Sequence, residues 1–351
     1  MSKPPTKDKE SGPSRDAFSS QISRMGQVVS TQSGENDAIK EPPPETLTAI
    51  LVESVPMGVA LPCTLYIKVA GRFVLFRSQG ERLTPKRALM LQEKGAEVLY
   101  INNAAWGVFL DALEKLQLSE PITPESAALH LRHLIVAYGL ELERVIREPK
   151  RPLFEKLEKL CDSLASVIRS NPAVGTRLLR KVEEPSMAFI THAVNCGIYA
   201  AVIGFKMGFS LDEMKQVTYA ALVHDIGKLL IPKKILLKTG SLTVEEKDLL
   251  QGHTRQGAEM LQSMGSQPAA VLTALQHHER MDGQGYPSRL HGSQLHPFTR
   301  ITAIVDAYDT LTSSRPTRPA LSPAEALAKI RSLEGKFDMA FLGTAVNVPN
   351  S

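Results

Sequence analysis

Cysteine is scarce: Cys63, Cys161 and Cys196 stand far apart in a chain of 351 residues. Odd in number and without paired spacing, they support neither a disulfide framework nor a thiolate zinc site, and read as small core residues. Long apolar runs are missing too. The nearest, residues 193–205, carries Asn195 and falls short of the roughly 18 to 20 uninterrupted apolar residues that a membrane-spanning helix requires. The first residues are polar and rich in Pro and Ser, without the apolar centre of a secretory leader, so the expected location is the cytoplasm. Nor is there an excess of charge of one sign. The net charge is +4 and the basic residues do not gather into one run, so nucleic acid is not implied as a partner.

The chain is long enough for two or three domains, and 43% apolar residues suffice for a sizeable core. Residues 1–45 are built from Ser, Pro, Lys, Glu, Gly and Gln; they bury too little to offset their ordering entropy and read as a disordered arm. Residues 46–117 read as a small α+β domain. Strands at 64–69 and 72–77 flank an Ala70-Gly71 turn, a helix runs from Pro85 to a stop at Gly95, a strand follows at 97–101, and a helix at 104–116. No catalytic constellation is visible there. Residues 118–149 are expected to form a helical linker, residues 150–343 an all-helical domain and 344–351 a tail, so the chain is mainly α. In that helical domain Phe154, Leu157, Leu160, Leu164, Val167 and Ile168 recur at three- and four-residue steps, a stripe for a core or for dimerisation. Ser210 with Glu213, Thr243 with Glu246, and Ser322-Pro323 with Glu325 read as helix starts, and Gly208 as the end of a helix begun near Ser186.

The helical domain also holds the chemical signals. His192 lies mid-helix, His224-Asp225 closes the apolar run 220–223, His253 falls in the helix capped by Thr243, His277-His278 ends the run 271–275, and Asp306 sits on an otherwise apolar helix. One such histidine is ordinarily a satisfied core residue. Five of them with two aspartates would leave costly unpaired polar atoms unless cations ordered them, which points to a carboxylate-bridged two-metal hydrolase site. Imidazole and carboxylate donors without thiolate suit Fe, Mn, Zn or Ni. His130 and His133, at i, i+3 but without a carboxylate companion, do not make a site, and His291 and His296 are expected to be solvent-exposed in a Gly/Pro loop.

The string His224-Asp-Ile-Gly-Lys228, followed by His277-His-Glu-Arg-Met-Asp-Gly-Gln-Gly-Tyr-Pro287, resembles the HD-GYP phosphodiesterases, a branch of the HD-domain metal-dependent phosphohydrolases. The resemblance extends over about 150–340 and takes in 236–246, Arg300-Ile301, the Asp306 helix and Arg315-Pro316. It implies an all-α bundle that hydrolyses cyclic di-GMP to pGpG or GMP. It makes His192, His224, Asp225 and Asp306 ligands of one metal and Asp225, His253, His277 and His278 ligands of another, with iron or manganese favoured. Ala188, where some relatives have a glutamate, implies two ions rather than three. The two oxygens of Asp225 could bridge cations about 3.5 to 4 Å apart, with a shared water as the nucleophile. Lys228 would stand beside the charge built on the phosphate, or else be a solvated lysine. Arg315 and Arg318 match phosphate-holding positions, guanidinium being suited to phosphate, or else are exposed loop arginines. Asp282, Gly283, Gly285, Tyr286 and Pro287 would form a loop shaping the substrate cleft and receiving proteins such as diguanylate cyclase domains, or else a tight surface turn. A homodimer is compatible with this family. Two alternatives stay open: a phosphohydrolase of another nucleotide, and a slow cyclic-dinucleotide-binding module acting through partners.

Overall fold

The computed structural model describes residues 41–116, 123–146, 149–179, 185–314 and 318–345. The expected arm lies outside these as far as residue 40, and the expected tail from residue 346. The chain divides into two compact units, before and after Leu116.

The first unit is a four-stranded antiparallel sheet with β1 (Leu47–Leu51), β2 (Leu65–Val69), β3 (Arg72–Arg77) and β4 (Val98–Asn102) in the order β1-β4-β2-β3. The β2–β3 hairpin turns at Ala70 and Gly71, both at positive φ (49° and 84°), the twist that a two-residue hairpin turn needs. Helix α1 (Pro85–Glu93) starts on a Thr84 side chain that accepts from the Arg87 N–H, and Gly95 follows its end in the left-handed region. Helix α2 (Trp106–Leu116) completes the unit, with Trp106, Phe109 and Leu113 buried. Glu41, assigned to the arm, is tethered: its carboxylate accepts from the Phe73 N–H at 2.8 Å and pairs with Arg72.

The second unit has helices as its regular elements among the described residues, with one isolated bridge between Asp282 and His291. Its order is α3 (Pro124–Arg144), α4 (Arg151–Ser170), α5 (Pro172–Arg177), α6 (Pro185–Lys206), α7 (Leu211–Val223), α8 (Lys233–Leu236), α9 (Val244–Gln251), α10 (His253–Ser263), α11 (Pro268–Gln276), α12 (Pro297–Thr312), α13 (Pro323–Arg331) and α14 (Met339–Ala345). The segment read as a linker differs from expectation. It contributes α3, which packs on α4 and buries Leu131, Ile135 and Leu142 at helical spacing, so its apolar stripe belongs to the core. The α4 stripe is likewise buried within the single chain.

Helix α6 runs through the middle, against α7 and α12, and contributes Cys196, Tyr199, Ala200 and Ile203 to the main apolar cluster. Its window Met187–Lys206 has mean hydropathy 1.5, apolar enough to cross a membrane, but 72% of it is buried inside the unit, which marks a central core helix. Helices α7, α9 and α13 open on the three expected capping boxes, Ser210–Glu213, Thr243–Glu246 and Ser322–Glu325, and Gly208 (φ 77°) follows α6. These starts and stops decide which residues stand at helix ends, and the site is built there.

Candidate metal centre

Four of the predicted ligands, His224, Asp225, His253 and His277, lie at helix ends. Helix α7 finishes at Val223, so His224 and Asp225 fall on its C-terminal edge before a tight turn over Ile226–Leu230. Helix α11 finishes at Gln276 with His277 as its cap. The helix expected to run from Thr243 through His253 is broken instead: α9 stops at Gln251, and His253 opens α10. That break lets the α10 backbone come against the turn, where Gly227 faces it; a Cβ on Gly227 would collide with the His253 carbonyl and the Gly257 N–H. Mid-helix positions on α6 and α12 supply His192 and Asp306. The C-termini of α7 and α11 bring their partial negative charge to this place, which favours cations.

The carboxylate of Asp225 is the hub. Its Oδ1 lies 3.3 Å from both His253 Nε2 and His277 Nε2, and its Oδ2 lies 3.4 Å from His224 Nε2 and 3.8 Å from His192 Nε2. Lys228 donates to Oδ2. Asp306 Oδ1 is 3.4 Å from His192 Nε2. Two sets share Asp225, with His253, His277 and His278 on one side and His192, His224 and Asp306 on the other, the ligand atoms of each lying within 4.8 Å of one another; His192 and His224 also lie that close to the Cys196 thiol.

The hydrogen bonds show which ring atoms face inward. His224 Nδ1 donates to Ala221 O at 2.7 Å, His253 Nδ1 to Leu250 O at 2.6 Å, and His277 Nδ1 to Ala274 O at 3.0 Å. A carbonyl can only accept, so Nδ1 carries the hydrogen, and a neutral ring then turns a bare Nε2 lone pair toward Asp225. The Nε2 atoms of His253 and His277 meet at 3.3 Å, two lone pairs that repel unless a cation lies between them. Buried His224 Nε2 and Asp225 Oδ1 have no hydrogen-bond partner among the described residues. Such orphaned atoms are costly in a dry interior and are what metal ligands look like without their ion, so the donor set fits divalent cations.

The electrostatics agree. Burial works to raise the Asp225 carboxyl, but the Lys228 ammonium and the His224 imidazole outweigh it and hold the group well below the usual carboxylate range. Burial pushes the His277 imidazole down to about 4, and burial with neighbouring His277 lowers His278 well below its ordinary value. Both rings are therefore neutral near pH 7, with lone pairs available for a metal.

The Asp282–Pro287 loop stands beside this centre. Tyr286 stacks on His278 with ring centroids 4.8 Å apart. Asp282 takes a fork from Arg280, at 2.9 Å from its Nε, and accepts the Gln284 N–H at 3.0 Å. Gly285 rests on the Glu279 backbone, leaving no room for a Cβ, and Gly283 adopts φ 73°. The Tyr286–Pro287 peptide is cis.

Arg315 lies outside the described residues. Arg318 uses Nη1 and Nη2 on the carbonyls of Leu311, Thr310 and Pro319, at 2.8 to 3.0 Å, and so caps the end of α12. His296, expected in solvent, is half-buried: its Nδ1 caps α12 by accepting the Phe298 N–H. His291 is exposed, and His130 and His133 join no ligand set among the described residues. All three cysteines are buried and free. Cys196 lies 3.7 Å from His192 Nε2, and burial pushes its thiol up to about 12, so a neutral thiol packs beside that ligand.

Two supporting residues went unseen in the sequence. Asp309 accepts from His192 Nδ1 at 2.8 Å and from Asn195 Nδ2 at 2.9 Å, orienting a ligand ring. Its signal is its i+3 position after Asp306 on an apolar face. Glu279, 3% exposed, accepts the N–H groups of Ser288 (2.6 Å) and Leu290 (3.1 Å); nothing local distinguishes it from a surface glutamate.

A helical bundle with a buried aspartate shared between two histidine-rich donor sets, one histidine of which, His224, directly precedes that aspartate, defines an HD-type metal protein. The chain belongs to the HD domain family, whose profile matches residues 162–341, and its Asp282–Pro287 loop sets it in the HD-GYP branch. It is 31% identical over 223 residues to the cyclic di-GMP phosphodiesterase response regulator RpfG of Xanthomonas campestris pv. campestris, covering 62% of this chain and 57% of that one. It is 37% identical over 199 residues to the 3'3'-cGAMP-specific phosphodiesterase 1 of Vibrio cholerae, covering 57% and 43%. The chain thus spans about half the length of these relatives. Its fold is similar to that of Bd1817, a HDG"Y"P protein from Bdellovibrio bacteriovorus, with TM-score 0.67 at 17% identity over 86% of this chain and 99% of that one.

Proposed function

We propose that the chain is a metal-dependent phosphodiesterase that hydrolyses cyclic di-GMP to pGpG, GMP or both. Asp225 carries this reading, as the one carboxylate placed between two donor sets. His192, His224, Asp225 and Asp306 would hold one divalent cation and Asp225, His253, His277 and His278 a second, iron or manganese in our reading. Bound there, the cations supply Lewis acidity, lowering the pKa of water and neutralising phosphoryl charge. Asp225 stays ionised and His277 and His278 neutral at working pH, so the donor set needs no proton removed from these three groups. Departure of the ribose oxygen builds negative charge, which the Lys228 ammonium, held in place by Asp225, would stabilise. Arg315 adds a guanidinium for phosphate, and Arg318 serves it through the cap that fixes the end of α12. The Asp282–Pro287 loop walls the cleft and is our candidate contact for diguanylate cyclase domains, and we place the protein in the cytoplasm.

The test is direct. Anaerobically purified protein of verified metal content is given cyclic di-GMP and, separately, 3'3'-cGAMP, and products are resolved chromatographically. pGpG or GMP forms with the wild type and is lost in Asp225→Ala. Full binding of the dinucleotide without turnover would make the chain a signalling module instead. Preference for 3'3'-cGAMP, the substrate named for the Vibrio relative, would change the substrate and leave the chemistry.

A further inference from the structure

A recess of about 810 Å³ opens beside the metal centre, walled by Asp248, Gln251 and Arg255 of α9 and α10 and by Gln284, Tyr286 and Arg289 of the loop. Its size is that of ordinary small-molecule sites, about 300 to 1,000 Å³. Tyr286 belongs to both places, lining the recess and stacking on His278. Neither the candidate metal ligands nor Lys228 line it, so phosphodiester cleavage alone gives it no role.

Its charged groups are exposed and, among the described residues, uncommitted. The side chains of Asp248, Arg255 and Arg289 make no hydrogen bond or ion pair with any described residue, although two guanidinium groups and a carboxylate share one recess. Arg289 is also held in a backbone conformation that L residues adopt at a cost, φ 54°. The buried Glu279 carboxylate clamps the N–H groups on either side of it, those of Ser288 and Leu290. The fold therefore maintains a strained turn that sets a long basic side chain at this wall, where glycine would sit without strain.

We propose that the recess reads guanine. Guanine presents O6 and N7 as adjacent acceptors, which a guanidinium meets with two donors. Its N1–H and 2-amino donors match a carboxylate, here that of Asp248. Adenine carries an amino donor in place of O6 and lacks both N1–H and the 2-amino group. It would set donor against donor at the arginines and leave Asp248 unanswered. The assignment rests on the phosphodiesterase reading above: one base of the cyclic dinucleotide enters the recess while its phosphodiester lies at Lys228.

Calorimetric titration of the metal-loaded protein with GMP and with AMP tests it, because the two share ribose and phosphate and differ only in the base. The wild type prefers GMP by about ten-fold or more, the worth of one bidentate pair. Asp248→Asn, Arg255→Ala and Arg289→Gly each bring that ratio toward one with metal content unchanged, and the last relaxes the backbone as it removes the guanidinium. In turnover, kcat/KM for cyclic di-GMP falls mainly through KM. Equal wild-type affinity for GMP and AMP, or a preference that survives all three substitutions, overturns the assignment. The binding measurement needs no turnover, so a GMP preference lost in the variants of a protein that cleaves no cyclic dinucleotide would support the guanine site while removing the phosphodiesterase.

Discussion

Replacing Asp309 with alanine separates the metal ligands from the group that aims them. Asp309 is 2% exposed and accepts from His192 Nδ1 at 2.8 Å and from Asn195 Nδ2 at 2.9 Å. Asp309→Ala removes both acceptors and leaves two buried donors facing an apolar methyl group. Each orphaned donor costs about 1 to 3 kcal/mol, so the metal-free protein loses several kcal/mol, on the order of 10 °C in melting temperature for a helical unit of this size. The His192 ring loses the partner that fixes its tautomer and orientation, which lowers metal affinity by about 10- to 100-fold. Asp309→Asn retains an acceptor for one of the two donors and falls between wild type and alanine on both measures. Thermal melts of the stripped protein give the first quantity, and competition for metal with a chromophoric chelator gives the second. An alanine variant with wild-type melting and wild-type metal affinity would refute the claim that Asp309 positions His192.

Gly227→Ala should drive the Asp225–Lys228 turn away from α10, since its Cβ meets the His253 carbonyl, backbone that cannot swing aside. We expect a loss of about 1 to 3 kcal/mol and a reduced metal stoichiometry, read by elemental analysis; full metal content would show that the turn and α10 can separate without harm. Stability of the metal-free protein should depend on pH through His277. Its imidazole is pushed down to about 4 from an ordinary 6.5, so between those values the unfolded chain binds a proton that the folded chain refuses. The His277 contribution is thus full above pH 6.5 and falls by about 3 kcal/mol as the pH drops to 4, while His192, raised well above 6.5, contributes in the opposite sense. Asp225 and Asp306, held well below the carboxylate range, add stability that is present above the ordinary carboxylate range and lost at still lower pH. Urea melts from pH 8 downward would show this slope, and a flat profile would contradict it.

Several features were legible because their causes are local. The capping boxes at Ser210, Thr243 and Ser322 and the stops at Gly95 and Gly208 depend on residues within one turn of each other. The candidate ligands were legible because few side chains bind metals, and a run of buried histidines and aspartates has little other use. Other features hid for a physical reason. A linker helix and a core helix share one amphipathic period, and only the presence of α4 and its neighbours makes α3 the second. Arg318 looks like a phosphate ligand until the carbonyls of α12 are seen to occupy two of its nitrogens. Glu279 and Gly227 show their purpose only in the backbone that packs against them.

By itself, then, the order of residues determined the capped helix starts, though not the break before His253, together with the donor residues and their chemistry, because these follow from short-range sterics and from the nature of imidazole and carboxylate. Tertiary packing alone decided that Nε2 atoms from separate helices turn toward one aspartate, and that Asp309 supports His192 from 117 positions away. Convergence of that kind has no local energetic signature: it exists only once α6, α7, α10, α11 and α12 are pressed together around a common core.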